Sequence, residues 1–187
     1  MTALSLMLDS PLARVLARGL KACRDKPILN ALTFEEKKLE EILPLAAAHQ
    51  TPLVLLLLDE RSFPPPDLEG KIALALDLRE RALAGGLSED QLIFDPVLPN
   101  LSWPEAFRQT GAVIQTVRLL SSGAVFPEPA RTMAGLSNLR SGLRRSYPFQ
   151  VEATCLSLLA GAGLTYALAD VLQPGWQDLR RLLEQMS

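Results

Sequence analysis

Two hydrophobic rhythms alternate along the chain. Runs of adjacent apolar residues fall at 4–8, 27–32, 53–58, 92–94, 132–136 and 165–169. Stretches with apolar residues at helical spacing follow them, near 11–23, 34–49, 68–83, 103–120, one ending near Ala160, and 175–186. A run that is apolar on consecutive residues, such as Leu53 to Leu58, buries both faces of a strand. That is the habit of parallel sheets. The pattern predicts about six strand-then-helix units in a single α/β domain over residues 1–187.

Local signals refine the helices. Thr33 with Glu36, and Ser102 with Glu105, have capping-box spacing. Asp67 stands before the helical face Leu68, Ile72, Ala75, Leu76 and Leu83, and Gly85-Gly86 ends that helix. Pro44 falls inside the second helix pattern and predicts a kink or a shortened helix. Trp103, Phe107, Val113, Ile114, Val117 and Leu120 recur at helix spacing and read as core. Trp176, Leu179, Leu182 and Leu183 read as a last docking helix, with Arg180-Arg181 on its solvent face. Residues 153–169 carry no charge and approach the length of a membrane span. Thr154, Ser157, Gly161, Gly163 and Thr165 interrupt them, so the expectation is a helix end, a turn and a strand, not a span.

Composition narrows the function. With Lys plus Arg at 19 and Asp plus Glu at 21, nothing favours nucleic acid. Cys23 and Cys155 lie far apart, which excludes a disulfide scaffold or a cysteine zinc finger. They sit in apolar helical surroundings and fit a reducing compartment. The lone His49 leaves no His-based metal site. The start of the chain lacks a basic, then apolar, signal segment. A cytoplasmic protein is expected.

In parallel α/β folds, ligands bind beyond the carboxyl ends of the strands. At or just past those ends stand Asp9, Asn30, Asp59, Asp95, Asn138 and Asp170. Each can be a helix or turn cap. As a set they can also share one concave site. A carboxylate accepts two parallel N–H groups at once, and a carboxamide both donates and accepts. Such groups suit a flat, nitrogen-rich heterocycle held by hydrogen bonds.

Several segments carry a resemblance. They are Pro27-Ile28-Leu29-Asn30-Ala31, Leu43-Pro44-Leu45-Ala46, Leu57-Leu58-Asp59-Glu60, Ile93-Phe94-Asp95-Pro96-Val97-Leu98-Pro99 and Gly135-Leu136-Ser137-Asn138. Gly161-Ala162-Gly163-Leu164, leading to Ala169-Asp170, completes the set. The chain resembles the pterin-binding methyltransferases. These are the methyltetrahydrofolate:corrinoid/iron-sulfur protein methyltransferases and the folate module of cobalamin-dependent methionine synthase. Dihydropteroate synthase is a more distant cousin in pattern.

The resemblance implies a TIM barrel. It implies that Asp9, Asn30 and Asp95 grip a pterin ring, with Asp95 on the amino-pyrimidinone edge. It places Asn138 near the ring nitrogen that carries the methyl group, as the catalytic residue. The implied reaction moves that methyl from methyltetrahydrofolate to the Co(I) of a corrinoid carried by a partner protein, with no metal on this chain. Asp59, Asp170 and Arg145 are further candidates. Arg145 would meet an anionic folate tail or a partner surface, or else lie in a solvated basic turn. Leu57-Leu58 stand where relatives often have a hydroxyl or thioether residue, which predicts a more apolar pocket floor.

A complete (β/α)₈ barrel takes about 250 residues. The first strand here matches the family's third. The expectation is therefore an incomplete, fragmentary or divergent barrel. Completion by a second chain or by homo-oligomerisation is the alternative. Two other functional readings stay open: a non-catalytic pterin-binding-like scaffold, and, less favoured, a dihydropteroate synthase.

Overall fold

The computed structural model describes residues 5–141, 148–172, 175–178 and 181. Arg145 and most of the last helix pattern lie outside the described residues. Among the described residues, six strands and five helices alternate. They are β1 (Met7–Asp9), α1 (Ala13–Ala22), β2 (Ile28–Leu32), α2 (Glu36–His49), β3 (Leu53–Leu56) and α3 (Leu68–Ala84). Then come β4 (Leu92–Asp95), α4 (Ala106–Ser121), β5 (Arg131–Gly135), α5 (Phe149–Gly161) and β6 (Tyr166–Leu168).

All neighbouring strands pair in parallel, in the order β1-β2-β3-β4-β5-β6. The architecture is an incomplete TIM-type barrel, open between β1 and β6. Register fixes which groups share the carboxyl rim: Asp9 sits beside Asn30, and Leu56 beside Asp95.

The central strands β3 and β4 bury both faces, by strict alternation. Leu53, Leu55 and Phe94 point outward to Leu16 and Leu20 of α1, Ile42 and Ala46 of α2, and Leu74 and Leu78 of α3. Val54, Ile93 and Met133 point inward, with Met7, Ile28 and Tyr166 packed against them. A second outer cluster joins Val113 and Val117 of α4 to Ala134 of β5, Leu159 of α5 and Trp176.

Some local expectations fail for identifiable reasons. Thr33 does not cap α2: its hydroxyl bonds to Glu35 instead, and the helix starts after Glu35. Ser102 does not cap α4, because Pro104 and a left-handed Glu105 delay the helix to Ala106. A true capping box forms at Ser88 and Gln91, one short turn before β4. Asp67 does cap α3, accepting from the Gly70 N–H at 2.9 Å. Helix α2 runs through Pro44 without being shortened. Phe107 is 88% exposed and Trp103 41% exposed; the core face of α4 runs instead through Ala106, Ala112, Val113, Thr116, Val117 and Leu120.

The uncharged stretch divides as its glycines suggest. Helix α5 ends at Gly161, and Gly163 turns the chain into β6 at φ +98°. Among the described residues, no helix is long and apolar enough to cross a membrane. A Cβ at Gly163 would strike the Ser121 hydroxyl, which donates to the Ala162 carbonyl at 2.9 Å. Gly163→Ala is therefore expected to cost at least about 1 kcal/mol, from the positive φ alone. Urea unfolding of the variant checks this; an unchanged midpoint would refute it.

A polar cleft at the carboxyl ends of the strands

The carboxyl ends of the strands surround a cleft of about 310 Å³. Its walls include Asp9, Asn30, Asp95, Ser137 and Asn138, with Thr33 and Lys38 near the mouth. The floor carries Leu56, Met133 and Leu168. Asp9 ends β1, Asn30 lies in β2, Asp95 ends β4, and Asn138 sits in the short helical turn after β5. Four groups separated widely in sequence thus face one space.

Their side chains are not consumed by internal bonds. Among the described residues, those of Asp9, Asn30 and Asn138 make no hydrogen bond. Asp95 is buried; one carboxylate oxygen, Oδ1, accepts from the Val97 N–H at 2.8 Å. The other, Oδ2, takes no bond there. Burial pushes the Asp95 carboxyl up to about 7, against the pull of the Val97 N–H and of Lys71.

The turn that holds Asn138 is tied down from two sides. The Leu101 N–H donates to the Leu139 carbonyl at 3.0 Å, and the Asn100 amide donates to the Ser141 carbonyl. Arg140 pairs with Glu152, a buried carboxylate on α5. A smaller cleft of about 300 Å³ opens on the other side of Asn138, lined by Val97, Leu98, Asn100, Trp103 and Ser141.

Two strand-end candidates fall outside this space. Asp59 folds back on its own loop, accepting from the Arg61 and Phe63 N–H groups, both at 2.9 Å. Asp170 is exposed and accepts from the Leu172 N–H at 3.2 Å. Both take the capping role that their residue types favour. The apolar floor also has a different source: β3 contributes Leu56, whereas Leu57 turns into the core.

Lys38 and Lys71 were not picked out by strand-end reasoning. Lys38 reaches the mouth from α2 and pairs with Glu35 at 2.8 Å. Glu35 also accepts from Ser62, which links two rim loops. Hydrogen bonds from Lys38, Ser62 and Thr33 hold the Glu35 carboxyl below its usual range, the Lys38 bond most strongly. Lys71 lies behind Asp95 in α3. Its one signal was a lysine among the apolar positions of that helix face.

Among the described residues, no group of three or more His, Cys, Asp or Glu side chains could hold a metal ion. No family model matches the sequence. Solved structures do match. Dihydropteroate synthase from Thermus thermophilus superposes with a TM-score of 0.71 at 15% identity, over 98% of this chain and 71% of that one. The Xanthomonas albilineans enzyme with 4-aminobenzoic acid gives 0.67 at 18%, over 99% and 68%. The Coxiella burnetii enzyme in complex with pteroic acid gives 0.66 at 16%, over 97% and 68%.

The fold is dihydropteroate-synthase-like. Among the described residues, this chain holds six parallel strands of such an incomplete barrel. At 15–18% identity this likeness is one of fold, and the methyltransferase family that the sequence motifs put first is not confirmed by it.

Proposed function

We propose that the chain binds a pterin or folate in this cleft. One observation carries the reading: Asp9, Asn30, Asp95 and Asn138 come from separate elements and line the same space. The volume is at the lower end for small-molecule sites, which suits a bicyclic ring more than a large ligand. The free edge of Asp95 can accept the 2-amino and ring N–H groups together. Asn30 and Asp9 supply further acceptors, and the Asn30 amide also donates.

For the reaction, the preferred reading is methyl transfer from methyltetrahydrofolate to cobalt on a corrinoid protein. The Gly135-Leu136-Ser137-Asn138 motif and the open amide of Asn138 at the cleft support it. The corrinoid supplies the nucleophilic cobalt; this chain would hold the ring and stabilise the departing nitrogen. The second reading is the synthase reaction, condensing a pterin pyrophosphate with p-aminobenzoate, and the structural neighbours favour it. The edges at β1 and β6 also leave room for a partner chain, or a second copy, to close the barrel.

Titration with 5-methyltetrahydrofolate, followed by Trp103 and Trp176 fluorescence, tests the binding proposal. A saturable change, competed by a pterin lacking the tail, is expected. No binding by folded protein would end it. Cob(I)alamin turnover, against pteroate formation from the pyrophosphate, then separates the two reactions. If neither product forms although the ring binds, the non-catalytic scaffold is the right reading.

A further inference from the structure

Lys71 is fully buried, at 1% exposure, and is among the largest such side chains of the described residues. It stands on the face of α3 that also buries Leu74, Ala75 and Leu78. A leucine would fill such a position without a desolvation cost. Lysine is almost never buried this deeply unless something pairs with it.

The pairing is specific. The Lys71 ammonium donates to the Pro96 carbonyl at 2.7 Å. That carbonyl belongs to the same peptide group as the Val97 N–H, which donates to Asp95 Oδ1 at 2.8 Å. One peptide plane is thus clamped at both ends, with a cation on its oxygen side and a carboxylate on its nitrogen side. Hydrogen bonds in such a chain polarise one another. The clamp also holds Val97 at φ 59°, a left-handed conformation that a β-branched residue rarely adopts.

We propose that Lys71 is a positioning residue for Asp95: acting through the 96–97 peptide group, it holds the carboxylate ionised and aimed into the cleft. This rests on the pterin-binding reading for its purpose, since only a charged Asp95 accepts two N–H groups at once. Burial pushes the Lys71 ammonium down to about 8, against the pull of Asp95 and Asp67. The charged groups around Asp95 are Lys71 from α3, with Lys38 from α2 and Asp9 from β1 in the same cleft, while Asp67, the N-cap of α3, acts on Lys71. The turn after β5 contributes only the uncharged Ser137 and Asn138 to the cleft.

The test needs no ligand at first. Carbon-13 NMR of the Asp95 carboxyl is followed against pH in the wild type, Lys71→Met and Lys71→Arg. Loss of the cation should raise the Asp95 midpoint by about 1 pH unit or more, and arginine should restore most of it. An unchanged midpoint in folded Lys71→Met overturns the proposal. Should that variant not fold, the wild type still decides. The Lys71 Cε signal should show an inflection at the Asp95 midpoint, as coupled groups do. Its absence overturns the proposal. With 5-methyltetrahydrofolate, Lys71→Met should bind about tenfold more weakly at pH 7 and recover by pH 9. Equal weakening at both values means a merely structural role and sinks the idea. If the wild type binds no folate, the pterin reading fails, while the carboxyl titration still decides the role of Lys71.

Discussion

Asp95→Asn lowers affinity for 5-methyltetrahydrofolate at least about 100-fold, while the protein stays folded. The carboxamide keeps one oxygen, so the Val97 N–H can retain its acceptor and the turn its shape. The other carboxylate oxygen, free to meet the ligand, becomes an NH₂ group. One of two parallel acceptors is lost, and a donor is set against a donor. Hydrogen bonds to charged groups contribute about 1.5–3 kcal/mol each, and the clash adds to that. Isothermal titration of wild type and variant checks the expectation. Affinity within a few-fold of wild type would place the ring elsewhere.

The same residue gives the binding a pH dependence. Asp95 titrates at about 7, so its accepting form is lost as the pH falls through that value. Affinity should therefore weaken about tenfold per unit below it. Stability runs the other way on the acid side. The native protein keeps a proton on Asp95 that the unfolded chain releases from 3.8 upward, so stability falls as pH rises from there to about 7. Lys71 has the opposite slope. The native protein loses its proton from about 8, the unfolded chain only near 10.5, so stability rises between those values. The combined contribution of these two groups is least favourable between the two windows, close to neutral pH. Asp95→Asn removes the acid-side slope, so its loss of binding cannot be blamed on a weaker fold.

The elements were easy to read because parallel strands buried on both faces leave continuous apolar runs. Leu53 to Leu55 show it: alternate residues serve the helices and the barrel interior, and all three are fully buried. The rim was partly readable for a related reason. Where a strand leaves the core, its first polar residue marks the carboxyl end, and this found Asp9, Asn30, Asp95 and Asn138. It could not separate these from Asp59 and Asp170, because a turn cap and a cleft-lining group draw on the same residue types. Lys71 was hidden differently. Its partner is the Pro96 carbonyl, 25 residues away, and a backbone acceptor leaves no trace in side-chain pattern. Phe107 misled for a third reason: helical spacing predicts a face, but at the start of α4 the buried position is Ala106, which leaves its neighbour Phe107 exposed.

Asn138→Ala is expected to separate binding from chemistry. The Asn138 amide lies at the cleft wall with its hydrogen-bonding groups free, on a turn held by the Leu101–Leu139 bond and by Arg140 with Glu152. Those ties leave its side chain free to donate toward a ring nitrogen without distorting the turn. In methyl transfer, that nitrogen is a tertiary amine and a poor leaving group. Charge develops on it only as the carbon–nitrogen bond breaks, so a donor placed there acts mainly in the transition state. Removing one such donor costs about 10²–10³ in kcat. Ground-state affinity, carried by Asp9, Asn30 and Asp95, should change only a few-fold. Single-turnover methylation of cob(I)alamin, set beside the equilibrium titration, gives both numbers. Parallel loss of affinity and rate would make Asn138 a binding residue alone. An unchanged rate would remove the methyl-transfer role and turn attention to the pyrophosphate substrate, whose leaving group needs cations such as Lys38 at the mouth instead.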